Sequence, residues 1–154
     1  MAEQVSRQSD SAEDVGNALL RLTHWFEQNQ TYSARKLGLH STDFACIGYL
    51  VTAAGPVSPK QIIQHLGLSS SAGTALLDRL EKAGYIRRQP NPDDRRGLLI
   101  SLDTKAAAAP IAFYRMLSER VTATIARHSE AERRVITRFL SEISATSEGL
   151  VEPD

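Results

Sequence analysis

The run from Ser58 to Leu102 reads SPKQIIQHLGL (58–68), SSSAGTALLDRLEKAGYI (69–86), RRQPNPDDRRG (87–97) and LLISL (98–102). Ser58 and Gln61 have the spacing of a capping box, and Pro59 occupies the first helical position, where its missing N–H costs nothing. Ile62, Ile63 and Leu66 give this helix an inner face, and Gly67 ends it after little more than two turns. A helix so short is marginal alone and must be held by packing. Ser69, Ser70 and Ser71 are alternative N-caps for a second helix. Its apolar face is Leu76, Leu77 and Leu80, with Ala72 and Ala75 small enough for a close crossing. Lys82 in the last turn and Gly84 just beyond it form the usual C-terminal pattern.

Past Gly84 the period changes. Tyr85–Gln89 and Leu98–Leu102 read as two short strands, and Pro90-Asn91-Pro92-Asp93-Asp94 between them is dense in turn formers. That loop is too long for a two-residue hairpin and suits a projecting one. Short helix, turn, longer helix and basic hairpin is the order of parts in a winged helix-turn-helix, which can place one helix in a DNA groove and a loop beside it.

Outward from this module the chain is helical. Residues 1 to about 11 form a polar tail, and a helix follows from Ser11, with Val15, Leu19, Leu22 and Phe26 on one stripe and Trp25 beside it. Gly38 stops it. Ser41-Thr42-Asp43 supplies cap chemistry for a helix carrying Phe44, Ile47, Leu50 and Val51 inward, which Gly55-Pro56 ends. After the hairpin, Asp103 or Thr104 can cap an alanine-rich helix burying Phe113, Met116, Leu117, Val121 and Ile125. Pro110 should delay or kink its start. Ser129 and Glu132 form a second capping box for a last helix with Val135, Ile136, Phe139, Leu140 and Ile143 on one face, before the polar tail EGLVEPD. The expectation is a mainly α single domain over 1–154 with a small β-hairpin wing. Residues 41–102 form the winged helix-turn-helix lobe, and residues 11–37 with 104–148 form a helical dimerisation lobe.

Composition sets bounds. The 154 residues are 42% hydrophobic and 23% charged, ordinary for a soluble globular chain. Net charge is zero, which counts against nucleic acid only weakly, because a footprint depends on local charge. No apolar run approaches a membrane span, the N-terminus is unlike a signal peptide, and a single cysteine excludes an internal disulfide. The expected compartment is the cytoplasm.

Two places carry candidate chemistry. The first turn of the helix near Ser70 presents Ser69, Ser70, Ser71, Gly73 and Thr74, small residues that admit a helix deep into a groove and hydroxyls that reach phosphates or base edges. Taken alone, such serines are ordinary caps. In the hairpin, Arg87, Arg88, Arg95 and Arg96 fall within ten residues. Strand alternation puts Arg87 and Arg88 on opposite faces, so at most one faces DNA. An arginine at the loop tip suits the narrow minor groove, and Asp94 pairs with Arg96 or a neighbour to shape the loop. The competing reading is a solvated charged hairpin.

The run LLDRLEKAGYIRRQPNPDDRRGLLISL closely resembles the recognition helix and wing of MarR-family transcriptional regulators. Its marks are D-R-L-E-K-x-G-[YL]-[IV]-x-R at Asp78 to Arg88 and D-x-R at Asp94-Arg95-Arg96, with a looser match of helix order over about Ala12 to Ile143. The resemblance implies a homodimer on a pseudo-palindromic operator, recognition helices (about 70–83) in successive major grooves roughly 34–36 Å apart and the wing (87–98) at the minor groove. It makes Arg96 the wing arginine and takes in Arg79, which either reaches DNA or braces the wing; Arg88 and Arg95 complete the candidate interface. Where the family has L-T-x-x-G after the wing, this chain has Leu102-Asp103-Thr104-Lys105-Ala106, which puts the junction into the next helix in doubt.

The resemblance implies a repressor released by a small, often aromatic, effector between the lobes. Trp25, Tyr32, Tyr49 and Phe113 are candidate linings, each also explicable as core or dimer interface. Cys46, in FACIGYL, reads as an inert buried thiol, and the four histidines show no metal-ligand spacing. No cofactor is implied. With no nucleophile–base pair, phosphate-cradling loop or metal cluster, an enzyme is not expected. The alternative class is a winged protein-interaction module that has lost DNA binding.

Overall fold

A computed structural model describes residues 11–148. The polar tails expected at residues 1–10 and 149–154 lie outside them. In order the elements are α1 (Ala12–Lys36), α2 (Ser41–Thr52), α3 (Pro59–His65), α4 (Ser70–Lys82), β1 (Ile86–Asn91), β2 (Asp94–Leu102), α5 (Ala108–Ile125) and α6 (Glu130–Glu148). These are the six helices and one hairpin read from the sequence. They fall into two compact units, one ending at Phe44 and one starting at Ala45.

In the first unit, Ser11 caps α1 and shares a capping box with Asp14. Gly38, at φ +68°, takes the left-handed position that stops the helix. Val15, Leu20, Leu22 and Trp25 all stand exposed along α1.

The second unit holds the module from Ser58 to Leu102. The Ser58–Gln61 box forms, with the Gln61 N–H donating to Ser58 Oγ at 3.3 Å and the Ser58 N–H to Gln61 Oε1 at 2.8 Å. Ile62 of α3, Leu76, Leu77 and Leu80 of α4, Ile86 of β1 and Ile100 of β2 are buried with Cys46 and Ile47 of α2. Each such aliphatic side chain contributes about 1.5–3 kcal/mol relative to exposure, which holds α3 in place despite its length.

Gly73 marks the tight point between α3 and α4, because a Cβ built there would lie 2.2 Å from Ile63 Cγ1. Ala72 and Ala75, expected at the crossing, face solvent instead. A glycine has taken the place assigned to alanine because even a methyl group does not fit. Gly48 plays the same part on α2, where a Cβ would lie 2.3 Å from Tyr114 Cζ of α5.

The hairpin is longer and tighter than expected. β1 and β2 pair antiparallel from Ile86↔Leu102 to Asn91↔Asp94, leaving only Pro92 and Asp93 in the turn. At the step from Pro90 to Asn91 the partner jumps from Leu98 to Asp94, so the irregularity falls at Arg95, Arg96 and Gly97 of β2, while Pro90, Asn91 and Asp94 join the strands. Val57 adds a rung the sequence did not show: its N–H donates to Ile100 O at 3.0 Å and its carbonyl accepts from the Ile100 N–H at 2.7 Å.

α5 starts at Ala108 with Pro110 buried in its first turn, so the helix start is delayed past Asp103 and Thr104. The residue before the helix, Ala107, has no side-chain cap. Asp103 works one turn earlier, accepting the N–H groups of Lys105 and Ala106 at 3.0 Å each. Ser129 and Glu132 form the box that opens α6. The apolar faces of α5 and α6 are less covered than expected: Met116, Val121, Val135, Leu140 and Ile143 are all at least 38% exposed. One copy of the chain does not bury them.

Three caps hold ionised carboxyls below their usual pKa. For Asp103 the leading cause is the hydrogen bond from the Ala106 N–H, followed by that from Arg87. For Asp14 and Glu132 it is the hydroxyl of the capping serine, Ser11 or Ser129. A carboxyl with a lowered folded pKa stabilises the fold above its unfolded value, and that contribution is lost as pH falls through the folded one. Tm should therefore decline below about pH 4. Asp103→Asn should flatten part of that decline in a pH series of melts, and an unchanged slope would remove Asp103 from it.

Candidate nucleic-acid interface

The start of α4 presents a bare, hydroxyl-bearing surface. Ser69 is its N-cap, with Oγ accepting the Ala72 N–H at 3.3 Å and lying 3.2 Å from Ser71 Oγ. Ser70, Ser71 and Thr74 are exposed in the first turn, and Thr74 Oγ1 donates to the Ser70 carbonyl at 2.9 Å. Ser69 thus fulfils the capping reading of the serine run and leaves Ser70 and Ser71 as the outward hydroxyls. Gly73 does not belong with them. It is buried against Ile63, so its smallness serves helix packing, not the groove-facing surface expected of it. Arg79 stands exposed on α4.

The wing is fixed to this helix. Arg88 Nη2 donates to Asp78 Oδ1 at 2.5 Å, and its Nε lies 3.5 Å from Glu81 Oε2, both carboxylates being on α4. Arg88 is committed to bracing, with its side chain only 28% exposed. At the tip, Asn91 Oδ1 accepts the Asp93 N–H and Asp94 Oδ1 accepts the Arg96 N–H, both at 3.0 Å. Asp94 shapes the wing through the Arg96 backbone and not through its guanidinium. The Arg96 side chain is left exposed, with no ion pair among the described residues. Arg95 lies in β2 beside it.

From Ser58 to Leu102 seven side chains are basic and four acidic, so the module is positive within a neutral chain. Local excess of this kind is what attracts a polyanion.

The sequence reading missed the second tie at the wing. Arg87 Nε donates to Asp103 Oδ2 at 3.0 Å, and its Nη2 donates to the same oxygen. The pairing Ile86↔Leu102 sets these neighbours side by side, so the register would have revealed them.

Of the four candidate effector residues, Trp25 and Tyr32 belong to the first unit and Tyr49 and Phe113 to the second. Trp25 and Tyr32 are exposed on α1, where Tyr32 borders a shallow concavity with His24, Gln28 and Arg35. In the second unit Tyr49 stacks on His65 at 4.0 Å, and Phe113 meets the edge of Tyr114 at 5.5 Å. A concavity of about 380 Å³ there is lined by others, including Leu50, Ile100, Ile111 and Arg115. Among the described residues no His, Cys, Asp and Glu cluster could hold a metal, and no helix is long and apolar enough to cross a membrane.

Known proteins share this arrangement. The MarR family model matches residues 37–97, the span from the end of α1 to the wing tip. The HTH-type transcriptional regulator YcgE of Bacillus subtilis is 34% identical over 120 residues, covering 78% of this chain and 77% of that protein. PecS of Dickeya dadantii is 34% identical over 109 residues, covering 70% of this chain and 59% of PecS. Among solved structures, S. aureus MepR in its DNA-binding conformation superposes with a TM-score of 0.68 at 19% identity, over 86% of this chain and 97% of MepR. The MarR regulator of Oenococcus oeni gives 0.63 at 20% identity, over 86% and 99%. Helix order, wing and a relative matched over three quarters of its length agree: the chain belongs to the MarR family of winged-helix transcriptional regulators.

Proposed function

We propose that this chain is a cytoplasmic repressor that binds a pseudo-palindromic operator as a homodimer and is released by a small-molecule effector. The recognition helix, about 70–83, enters the major groove through Ser70, Ser71 and Thr74. The wing, 87–98, carries Arg96 to the minor groove. The observation that carries this reading is the pairing of a bare, exposed α4 start with a wing that α4 itself braces through Arg88. MepR, whose fold this chain shares, has been solved in complex with DNA, and that supports the reading.

Dimerisation rests on surface one copy leaves uncovered: Val15, Leu22 and Trp25 on α1, and Met116, Val121, Val135 and Leu140 on α5 and α6. Apolar residues in such number mark an interface. In this proposal 11–37 and 104–148 form the dimerisation lobe and 41–102 the DNA-binding lobe.

The test is a gel shift on duplexes flanking the protein's own gene, between 50 and 200 mM NaCl, with sedimentation for oligomeric state. A dimer neutralising six to ten phosphates should lose roughly 10³–10⁵ in affinity across that range. Absence of binding at low salt would instead favour a winged protein-interaction module.

A further inference from the structure

We propose that Asp103 is a positioning residue for the wing, holding Arg87 and the base of β1 to the turn that leads into α5. This rests on the DNA-binding reading above and adds a residue to it. The base of the wing is clamped on two sides by consecutive arginines. Arg88 reaches α4 through Asp78 and Glu81, while Arg87, on the opposite face of β1, reaches Asp103.

Asp103 is suited to the task because its two oxygens are divided between two elements. Oδ2 accepts Arg87 Nε and Nη2, and Oδ1 accepts the N–H groups of Lys105 and Ala106. Its own N–H donates to the Tyr85 carbonyl at 2.9 Å, just before β1. The Asp103 side chain is 16% exposed against 73% for Arg87, so the fixed member of the pair is the carboxylate. A change in the angle between α5 and the strands must therefore strain this pair or move the wing.

Threonine in place of Asp103 separates the two tasks. A threonine hydroxyl can accept a backbone N–H in the turn but cannot hold a guanidinium. The cap is then common to both residues, and the tie to Arg87 belongs to the carboxylate.

The alternative role for Arg87 is direct contact with phosphate, and the two roles make opposite demands. The experiment uses the full-length protein, a labelled duplex enriched from a random pool by the parent, and the variants Asp103→Thr, Arg87→Gln and the double variant. Asp103→Thr keeps a capping hydroxyl, and melts of each variant check the fold. If Asp103 positions the wing, each single change weakens binding about fivefold, the double is no weaker than either single, and the salt slope keeps the parent value. Two results would overturn the proposal. One is Asp103→Thr binding as tightly as the parent or tighter, because a freed Arg87 gains phosphate. The other is Arg87→Gln lowering the slope by about 0.9, the signature of one lost phosphate contact. If the parent enriches no duplex from the pool at low salt, the DNA-binding reading itself falls and this proposal goes with it.

Discussion

Gly73→Val should lower stability by about 1–3 kcal/mol, read as a fall in Tm of roughly 2–12 °C for a chain of this size. The first added carbon would overlap Ile63 Cγ1 at 2.2 Å and Cδ1 at 2.7 Å, and two further methyls have nowhere to go. Valine is a better helix former than glycine by a few tenths of a kcal/mol, too little to offset the clash. The partner substitution Ile63→Ala removes the obstructing atoms, so the double variant should be more stable than the sum of the single effects. Ala72→Val, one residue away and exposed, should change stability by less than about 0.5 kcal/mol. Loss of DNA binding by Gly73→Val at unchanged Tm would show that the glycine faces the groove after all.

Arg96→Ala should weaken operator binding by about 1–3 kcal/mol, roughly ten- to a hundredfold, without altering the dimer or the melt. Arg96 is exposed at a tip whose shape is set by its own backbone N–H on Asp94, so truncating the side chain leaves the turn intact. Fluorescence anisotropy on a selected duplex gives the affinity, and sedimentation checks the oligomer. A variant that binds as tightly as the parent would remove the wing tip from the interface. Arg88→Ala should also weaken binding, by a different route, because it unties β1 from Asp78 and Glu81.

What could be read in advance was whatever depends on neighbours in sequence. The boxes at Ser58/Gln61 and Ser129/Glu132, the stops at Gly38, Gly67 and Gly84, and the delayed start of α5 are all decided within one helical turn. What escaped depends on elements meeting. Gly73 looked like a residue kept small for a groove because nothing in its own helix reveals that Ile63 of α3 lies over it. Pro90–Asp94 looked like a loop because pairing and its irregularity, here at Arg95, Arg96 and Gly97, are properties of two strands together. Nothing near Arg87 in sequence points to Asp103, which the strand pairing sets beside it. On α5 and α6 the apolar period was legible, and the faces it draws stand largely exposed in one chain.

The single rung between Val57 and Ile100 bears on solubility. A two-stranded hairpin has two open edges, each a template for a strand from another molecule. Along β2 the rung occupies both backbone groups of Ile100. Along β1, Pro90 has no N–H to offer, and Arg87 and Arg88 put two charges on its first half. Neither edge presents a long unbroken row of donors and acceptors, so neither is a ready template for a strand from another copy.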